Sequence, residues 1–453
     1  MRLAFALLLF SAPLVAQEKK GDQPQSDEQL KKELEGALNA DQKAAQQQGQ
    51  QPAPPAATSG APPAQLARGS QSLNPDISAI LDADAGYQRR PFSFLNGDDP
   101  DLKAAPGMRA LGLTAQEVEL AFSAIVDPYF KGEVYLTIPN LAGIEVEEAF
   151  ATTTSLPWNL QIKGGSFRGA FGRQNGQHLH IQDFTRRPLI NAAFLGADGM
   201  RGPGLQVSWL APLPFYLTLY GEAFSLREDT PQPAGTDIGP WDPVKSFGAD
   251  GARRPTVAGE AKAFFPFGDE WSLYTGASIA SGASPGYAAL NANGDTITLG
   301  KQRDTVLLGA DLYLKWKPAN VSGGYSSIAL QAEAVFRHFS SGDGLDSEWD
   351  GGLYAQVVAQ VSRRWFLGVR GDLIGLPASS VTARTLRGST SITFQASEFA
   401  RVRLYGEYEK ANLSFGTESV TPGALLPAVR PGDGLAAFLQ LEISIGAHGA
   451  HPF

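Results

Sequence analysis

Two histidines that lie close together carry the clearest metal-binding potential in this sequence. His178 and His180 flank Leu179, and Asp183 follows three positions after His180. On an extended chain, residues two positions apart point to the same side, so two imidazoles and a carboxylate would form a candidate Zn²⁺ site. The same spacing also suits two solvated loop histidines. The sequence leaves both interpretations open.

Catalytic chemistry has less support than metal binding. A hydrolase needs a nucleophile with its base, and no motif of that kind stands out. The other histidines are expected at a strand end, for His338, and in the C-terminal tail, for His448 and His451. Cys is absent, which excludes disulfides, thiolate metal sites and a cysteine-linked lipid anchor. We therefore expect neither an enzyme nor a bound cofactor.

Charged residues recur at alternate positions in two parts of the sequence, and each set predicts a charged wall on one face of a sheet. The first set is acidic and comprises Glu117, Glu119, Glu133, Glu145 and Glu147. The second set is mixed and comprises Arg370, Asp372, Arg401, Arg403, Glu407 and Glu409. In a water-filled lumen, such charges either pair across strands or select solutes by their charge.

Residues 174–203 form a long segment between two predicted strands, and a loop of this length is uncommon without a function. Four arginines lie in or directly before it, namely Arg173, Arg186, Arg187 and Arg201. Folded inward, the segment would make a basic constriction opposite the acidic wall. Folded outward, it would be a solvated surface loop, and the sequence does not distinguish the two.

A sheet must position these side chains, and residues 71–453 have the pattern of one. Apolar and polar residues alternate from residue 73 onward; an example is the apolar row Val306, Leu308, Ala310, Leu312, Leu314 and Trp316, interleaved with Asp311, Tyr313 and Lys315. The pattern predicts about sixteen strands, within a range of roughly 14 to 18, which is near the number that leaves an aqueous channel in porins.

The connections between the predicted strands alternate between short and long. Short ones include 127–129, 212–215 and 362–364, and long ones include 227–255 and 411–433. A transmembrane antiparallel barrel has short turns on one side and long loops on the other, whereas a soluble sandwich predicts no such order. Only 139–143 is short where a long loop is expected. The fold class is therefore all-β, a transmembrane antiparallel β-barrel with a disordered N-terminal extension.

The composition agrees with a barrel. Hydrophobic residues make up 43% of the chain and the mean hydropathy is -0.15, which argues against membrane helices, since these need about 20 consecutive apolar residues. Barrel strands escape that test because their apolar residues alternate. The formal charge is -9 and no run of Lys or Arg occurs, so a nucleic-acid partner is not expected.

The N-terminal part differs from the rest. Residues 1–16 have the pattern of a cleaved secretory signal, with Arg2 before an apolar core and polar residues directly after Ala16. Residues 17–70 are rich in Gln, Ala and Pro and predict a disordered periplasmic tether. Leu30, Leu34 and Leu38 lie at helical spacing within it and predict one short helix.

The last strand is predicted to close the barrel. Apolar residues occupy the odd positions from Leu435 to Ile445, and the chain ends in Phe453. A closing strand with an aromatic last residue resembles the signal that the barrel assembly machinery reads in bacterial outer-membrane barrels. We expect this strand to pair with residues 73–87 and to end near Gly446, because Pro452 cannot donate to a ladder.

Several motifs resemble those of a known family. Residues 72–80 open the barrel, residues 171–175 and 188–196 lie around the long segment, and the run GMRGPGLQVSWLAPLP at 199–214 is the most specific. They resemble a porin-like family of outer-membrane β-barrels, whose members are often labelled zinc-regulated TonB-dependent outer-membrane receptors. The resemblance implies an outer-membrane barrel and metal-linked transport. TonB-dependent receptors hold a plug inside about 22 strands, and the mature chain is too short for both.

These observations predict an outer-membrane porin-like channel, through which small hydrophilic solutes or ions diffuse along a charged, water-filled lumen. One alternative is an outer-membrane receptor or transporter that captures a metal or an anionic ligand. A further alternative is a structural barrel with a plugged lumen. The expected partners are outer-membrane lipid and the barrel assembly machinery, and the analogy with porins adds a homotrimer.

Overall fold

The computed structural model describes the barrel part of the chain with gaps at several connections, covering residues 75–89, 109–139, 141, 143–196, 199–226, 246–248, 254–284, 288–290, 296–298, 303–319, 325–341, 346–377, 382, 384–412 and 432–446. These residues form eighteen strands: β1 (Asp76–Arg89), β2 (Arg109–Ile125), β3 (Phe130–Pro139), β4 (Glu145–Thr153), β5 (Leu160–Arg168), β6 (Arg201–Leu210), β7 (Tyr216–Phe224), β8 (Thr256–Phe267), β9 (Trp271–Ser284), β10 (Ala288–Leu290), β11 (Thr296–Thr298), β12 (Arg303–Trp316), β13 (Ser327–Phe339), β14 (Glu348–Gln360), β15 (Trp365–Ile374), β16 (Arg384–Ser397), β17 (Ala400–Asn412) and β18 (Gly432–Gly446). No helix among the described residues is long and apolar enough to cross a membrane.

Sixteen of these strands form one closed antiparallel barrel, and β10 and β11 form a separate hairpin within the connection from β9 to β12. The first and last strands close it, with a register that runs from Ser78 opposite Gly446 to Arg89 opposite Leu435. The predicted strand number, the closing pair and the end of the last strand at Gly446 are therefore confirmed. Closure removes both edges of the sheet, which lipid requires because it cannot satisfy unpaired backbone groups.

The two faces of the wall follow the alternation in the sequence. Leu308, Leu353 and Leu439 point outward and are exposed, as are most of the apolar residues in their rows. Their neighbours point into the barrel, where Asp311, Tyr354 and Gln440 are buried. Exposed aromatic side chains lie beside the short turns, including Tyr129, Phe215, Trp158, Trp271 and Trp365. The wall thus has an apolar outer band with an aromatic rim at its short-turn end.

One irregularity shifts the alternation in β4. The register with β3 changes between Tyr135 and Leu136, which pair with Glu148 and Val146, so Glu147 is an extra residue in the ladder. A bulge of this kind leaves two consecutive residues opposite one. Glu147 and Glu148 are accordingly both buried. Strict alternation along the strand would place Glu147, but not Glu148, on the inner face.

The connection from β5 to β6 folds into the barrel. We call its described residues, 169–196 and 199–200, the inner segment. Its Arg173 lies 3.9 Å from the ring centroid of Tyr313 on β12, and the Nδ1 of its His180 lies 3.0 Å from Oε2 of Glu119 on β2. Since β2 and β12 lie on opposite sides of the closed strand order, the inner segment crosses the lumen.

An apolar cluster anchors one side of the inner segment. Its buried members come from the segment, from Phe247 and from the inner faces of β5, β7 to β9 and β12 to β15, and they include Phe171, Leu189, Ile190, Phe194, Phe224, Leu307, Val335 and Ile374. Burial of one such side chain stabilises by about 1.5 to 3 kcal/mol. The segment has little regular structure, with a 3-10 turn at Leu179–Ile181 and a π turn at Asn191–Leu195.

Several sequence predictions fall outside the described residues. These are the signal peptide at 1–16, the tether at 17–70 with its short helix, and the C-terminal residues with His448, His451 and Phe453.

A buried ion pair joins β13 to β14, and its Arg337 also donates to the inner segment, from Nη1 to the carbonyl oxygen of Ala193 at 3.4 Å. Removal of this pair is expected to be costly. Arg337 donates to Asp350 through Nε at 2.9 Å and Nη2 at 2.6 Å, and both side chains are 0% exposed. Asp350→Leu leaves a guanidinium without its buried partner, so we expect the free energy of unfolding to fall by about 3 to 5 kcal/mol. Urea-induced unfolding in detergent, followed by fluorescence, measures it.

The exposed pair of Arg254 and Asp304 supplies the matched control, since its side chains are 42% and 60% exposed. Asp304→Leu is expected to cost less than about 1 kcal/mol. If both variants lowered the free energy of unfolding equally, burial of the Arg337–Asp350 pair would not be what makes its loss costly.

The closing strand generates a second prediction. Deleting Phe453 is expected to lower the amount of assembled barrel in outer-membrane fractions several-fold, because the closing strand would lack its aromatic end. Channels that do assemble should keep their conductance, since β18 ends at Gly446. Heat-dependent mobility in gels measures assembly, and Phe453→Tyr is the control that keeps an aromatic end. Normal assembly of the deletion variant would contradict the role of Phe453 as an assembly signal.

Candidate functional lumen

The lumen is the candidate functional site, and the inner segment is its central feature. Wall side chains accept hydrogen bonds from the segment's backbone: Ser278 Oγ from Gly172 N at 3.0 Å, Glu333 Oε1 from Gln174 N at 2.8 Å, and Asp372 Oδ1 from Leu189 N at 2.9 Å. Irregular backbone at membrane depth requires such partners, because a buried unpaired peptide group costs several kcal/mol.

Wall arginines satisfy the segment's carbonyl groups in the same way. Arg403 Nη2 donates to the carbonyl oxygen of Gln182 at 2.7 Å, and Arg370 Nη1 donates to that of Arg186 at 2.8 Å. Arg387 Nη1 reaches the carbonyl oxygen of Arg187 at 3.4 Å. The basic wall predicted from the sequence therefore holds the inner segment in place.

Carboxylates neutralise most of these arginines. Arg370 pairs with Asp372 at 3.0 Å, Arg387 with Glu409 at 2.9 Å and Arg401 with Glu442. Arg186 of the segment pairs with Glu407. Of the six residues predicted on this wall, five therefore lie in ion pairs. The sixth, Arg403, donates to Gln440 at 2.9 Å.

The acidic wall meets the predicted histidine pair. His178 Nδ1 lies 3.2 Å from Glu147 Oε2 and 3.3 Å from Glu119 Oε2. His180 Nδ1 lies 3.0 Å from the same Glu119 oxygen, and the two imidazole centroids are 5.7 Å apart. Two groups that the sequence analysis treated separately therefore form one cluster of buried side chains.

Local charges change the chemistry of His178. Burial alone would lower the pKa of this imidazole, but the carboxylates of Glu147, Glu119 and Glu148 raise that pKa well above its ordinary value. The ring of Tyr135 packs against the imidazole with centroids 4.7 Å apart. The cluster therefore attracts positive charge, in the form of a proton or of a metal ion.

Asp183 lies elsewhere in the lumen. The carboxylate is exposed and acts electrostatically on Tyr313, Lys315 and Arg403. The metal-ligand geometry found among the described residues comprises Glu119, Glu147 and His178. The acidic ligands that accompany the histidines thus come from β2 and β4, in place of the neighbour in sequence.

The remaining predicted lumen residues occupy more open positions. Glu133 is half-buried and pairs with Lys131 at 3.0 Å, Glu117 is half-buried opposite Asp82, and Glu145 is exposed at the start of β4. Arg201 opens β6 and donates to the carbonyl oxygen of Glu147 at 2.8 Å.

Four lysines form a group on the inner wall, and the sequence pattern predicted an inward position only for Lys315. Lys131, Lys163, Lys262 and Lys315 are partly exposed on β3, β5, β8 and β12, towards the ends that carry the short turns. Lys262 pairs with Glu260 at 3.0 Å, and its side chain is 37% exposed whereas that of Glu260 is 0% exposed. The side chain of Lys262 is therefore more accessible to water in the lumen than that of Glu260. Their alternation with outward apolar residues is the signal that would have identified them.

A cleft of about 250 Å³ lies beside two of these lysines. Its lining is polar and comprises Lys131, Glu133, Thr152, Thr153, Thr154, Gln161 and Lys163. Tyrosines accompany the other two, since Tyr274 and Tyr313 lie 6.2 Å apart between β9 and β12 and Lys262 lies 5.7 Å from the ring centroid of Tyr220. The short-turn half of the lumen is thus lined by lysine and tyrosine.

Comparisons with known proteins agree with the architecture. No family model matches the chain. The outer membrane channel DcaP of Acinetobacter baumannii has a TM-score of 0.52 at 10% identity, covering 82% of this chain and 97% of that chain. The in-vitro folded trimer form of OmpT, an outer membrane protein of Vibrio cholerae, has a TM-score of 0.50 at 10% identity, covering 82% and 99%. The predicted porin-like barrel is therefore confirmed at the level of the fold.

One relative is similar in sequence along most of its length. An uncharacterized protein of Aquifex aeolicus (strain VF5) is 31% identical over 411 residues, which cover 84% of this chain and 80% of that protein. The similarity includes most of the barrel, because only 16% of this chain, about 73 residues, lies outside it. This chain, whose fold is a sixteen-stranded barrel, therefore belongs to the same family as the Aquifex aeolicus protein.

Proposed function

We propose that this protein is a porin-like channel of the outer membrane, through which small hydrophilic solutes diffuse. The observation that carries the proposal is the closed barrel of sixteen strands with an apolar outer face and a charged, polar inner face. Barrels of about sixteen to eighteen strands enclose an aqueous channel in porins. The inner segment reduces the open cross-section, so it restricts the size of the solutes.

The charges that meet water indicate the preferred solutes. The arginines of the basic wall are held in ion pairs and in hydrogen bonds to the inner segment, and Glu119 and Glu147 face the histidines. The lysines of β3, β5, β8 and β12 remain partly exposed, and they are joined by the half-buried Arg173. Positive groups at a pore wall raise the local concentration of anions. Small anions are therefore the preferred solutes in this proposal.

Receptor and plug functions are the alternatives. A TonB-dependent transporter encloses a plug in about 22 strands, and the sixteen strands here favour diffusion over energised uptake. The contacts of the inner segment with opposite sides of the wall favour a plug. Conductance distinguishes the functions, because a plugged barrel or a receptor without a pore passes no steady ion current.

Single-channel recording tests the channel directly. Purified protein in planar bilayers is expected to produce discrete conductance steps, with a reversal potential in a KCl gradient that indicates a preference for chloride. Lys262→Gln should shift the reversal potential towards that of a neutral pore, because its partly exposed side chain brings a positive charge into the lumen. Absence of steps from folded protein would contradict the channel.

Lys317→Gln is the matched control for that substitution. Lys317 is exposed just beyond the end of β12, at the turn that follows the strand. Its replacement removes the same charge from outside the narrow lumen, so the reversal potential should change less than in Lys262→Gln. Equal shifts in the two variants would assign the preference to the overall charge of the protein.

We also propose a homotrimer, with outer-membrane lipid and the barrel assembly machinery as partners. The trimer form of the Vibrio cholerae neighbour supports the oligomer, and the exposed apolar band supports the lipid contact. Native mass spectrometry after extraction in lipid nanodiscs should give three times the mass of the processed chain. A monomer under these conditions would exclude the trimer.

A further inference from the structure

Three side chains from separate parts of the chain bring ligand atoms together in the lumen. Glu119 on β2, Glu147 on β4 and His178 of the inner segment each contribute one atom, and these atoms all lie within 4.8 Å of one another. All three side chains are buried. Imidazole nitrogen and carboxylate oxygen are the ligand types that zinc accepts besides thiolate.

The spacing of the atoms fits a tetrahedral metal ion. Zinc ligands of these types lie about 2.0 to 2.2 Å from the metal, so neighbouring ligand atoms of a tetrahedron are about 3.3 to 3.6 Å apart. His178 Nδ1 lies 3.2 Å from Glu147 Oε2 and 3.3 Å from Glu119 Oε2. These two separations require little movement of the side chains when an ion enters.

Neighbouring side chains orient the ligands. Arg168 binds the other carboxylate oxygen of Glu147, so Oε2 of Glu147 faces the imidazole. The Nε2 of His178 faces Glu148 Oε2 at 3.8 Å, and Tyr135 packs on the imidazole ring. Metal-binding histidines commonly direct their second nitrogen towards a carboxylate in this way.

The charge of the cluster also favours a metal ion, which binds the neutral form of the imidazole. Among the side chains in direct contact, Glu119, Glu147 and Glu148 bring three negative charges and Arg168 brings one positive charge. The formal sum is -2 with neutral imidazoles, and buried net charge is costly. Glu119 Oε2 is buried, and the imidazole nitrogens of His178 and His180 lie 3.3 Å and 3.0 Å from it. A divalent ion would satisfy this oxygen and bring the sum to zero.

We propose that Glu119, Glu147 and His178 form a zinc site in the lumen, with a fourth coordination position open towards water and His180. The site joins two wall strands to the inner segment. Zinc therefore fixes the position of the inner segment relative to β2 and β4. This goes beyond passage of solutes, and it does not depend on whether the barrel conducts ions.

Calorimetric titration with zinc chloride tests the proposal on the full chain, folded in detergent at neutral pH. His448→Ala and His451→Ala should be present in every sample, so that the C-terminal histidines do not bind the metal. We expect one zinc ion per chain. Glu119→Gln and His178→Gln each remove one ligand and keep a polar side chain, and each should weaken binding at least about 100-fold.

His338→Gln is the matched control, because His338 packs against Trp349, with ring centroids 4.6 Å apart, and lies on a different part of the wall. It should bind zinc like the parent. X-ray absorption at the zinc edge supplies an independent measurement, with nitrogen and oxygen neighbours at about 2.0 to 2.2 Å and the scattering of one or two imidazoles. Heat-dependent gel mobility confirms that each variant is folded.

Two results would overturn the site. The first is the absence of zinc binding by the folded parent. The second is unchanged affinity in both Glu119→Gln and His178→Gln, which would place the metal elsewhere. A folded protein that binds zinc as expected but gives no conductance steps would support the site and contradict the channel, so the two proposals fail separately.

Discussion

The rest of this structure depends on one constraint, which is that every peptide group at membrane depth needs a hydrogen-bond partner. The wall meets it by closing, since β1 pairs with β18 and leaves no edge strand. The inner segment cannot meet it alone, because it has only short helical turns. Its N–H groups bind wall carboxylates and a serine, and its carbonyl groups bind wall arginines. Charged inward rows are therefore part of the framework.

Because many charged side chains bind the inner segment, the charges of the lumen differ in how much they act on a solute. An arginine that is paired with a carboxylate and bound to a carbonyl oxygen, as Arg370 is, presents little net field to a solute. A lysine that is partly exposed while its carboxylate partner is buried, as Lys262 is beside Glu260, is more accessible to a solute. In the proposed channel, selectivity would thus reside mainly in the less connected side chains, whereas the densely connected ones hold the inner segment in place.

The sequence predicts the wall well because the relevant signals are local. Alternation, turn lengths and the final strand give the barrel, its strand number and its closure. The inner segment is different, since its inward direction depends on contacts such as that of Gln174 with Glu333, far apart in sequence. The carboxylates beside His178 were also predicted wrongly. Asp183 is close to the histidines in sequence, whereas Glu119 is close to His178 in space. The bulge that brings Glu148 inward leaves no mark in the alternation.

The histidine cluster and the apolar cluster contact different parts of the inner segment. The apolar core around Phe194 and Leu189 holds the later part of the inner segment against β12 to β15, and the Arg337 pair reinforces it. Around His178, the segment meets the carboxylates of Glu119 on β2 and Glu147 on β4, and Tyr135 packs on the imidazole ring. Contacts between charged groups respond to salt and pH more than apolar packing does. The contacts of the inner segment therefore depend most on charge beside β2 to β4.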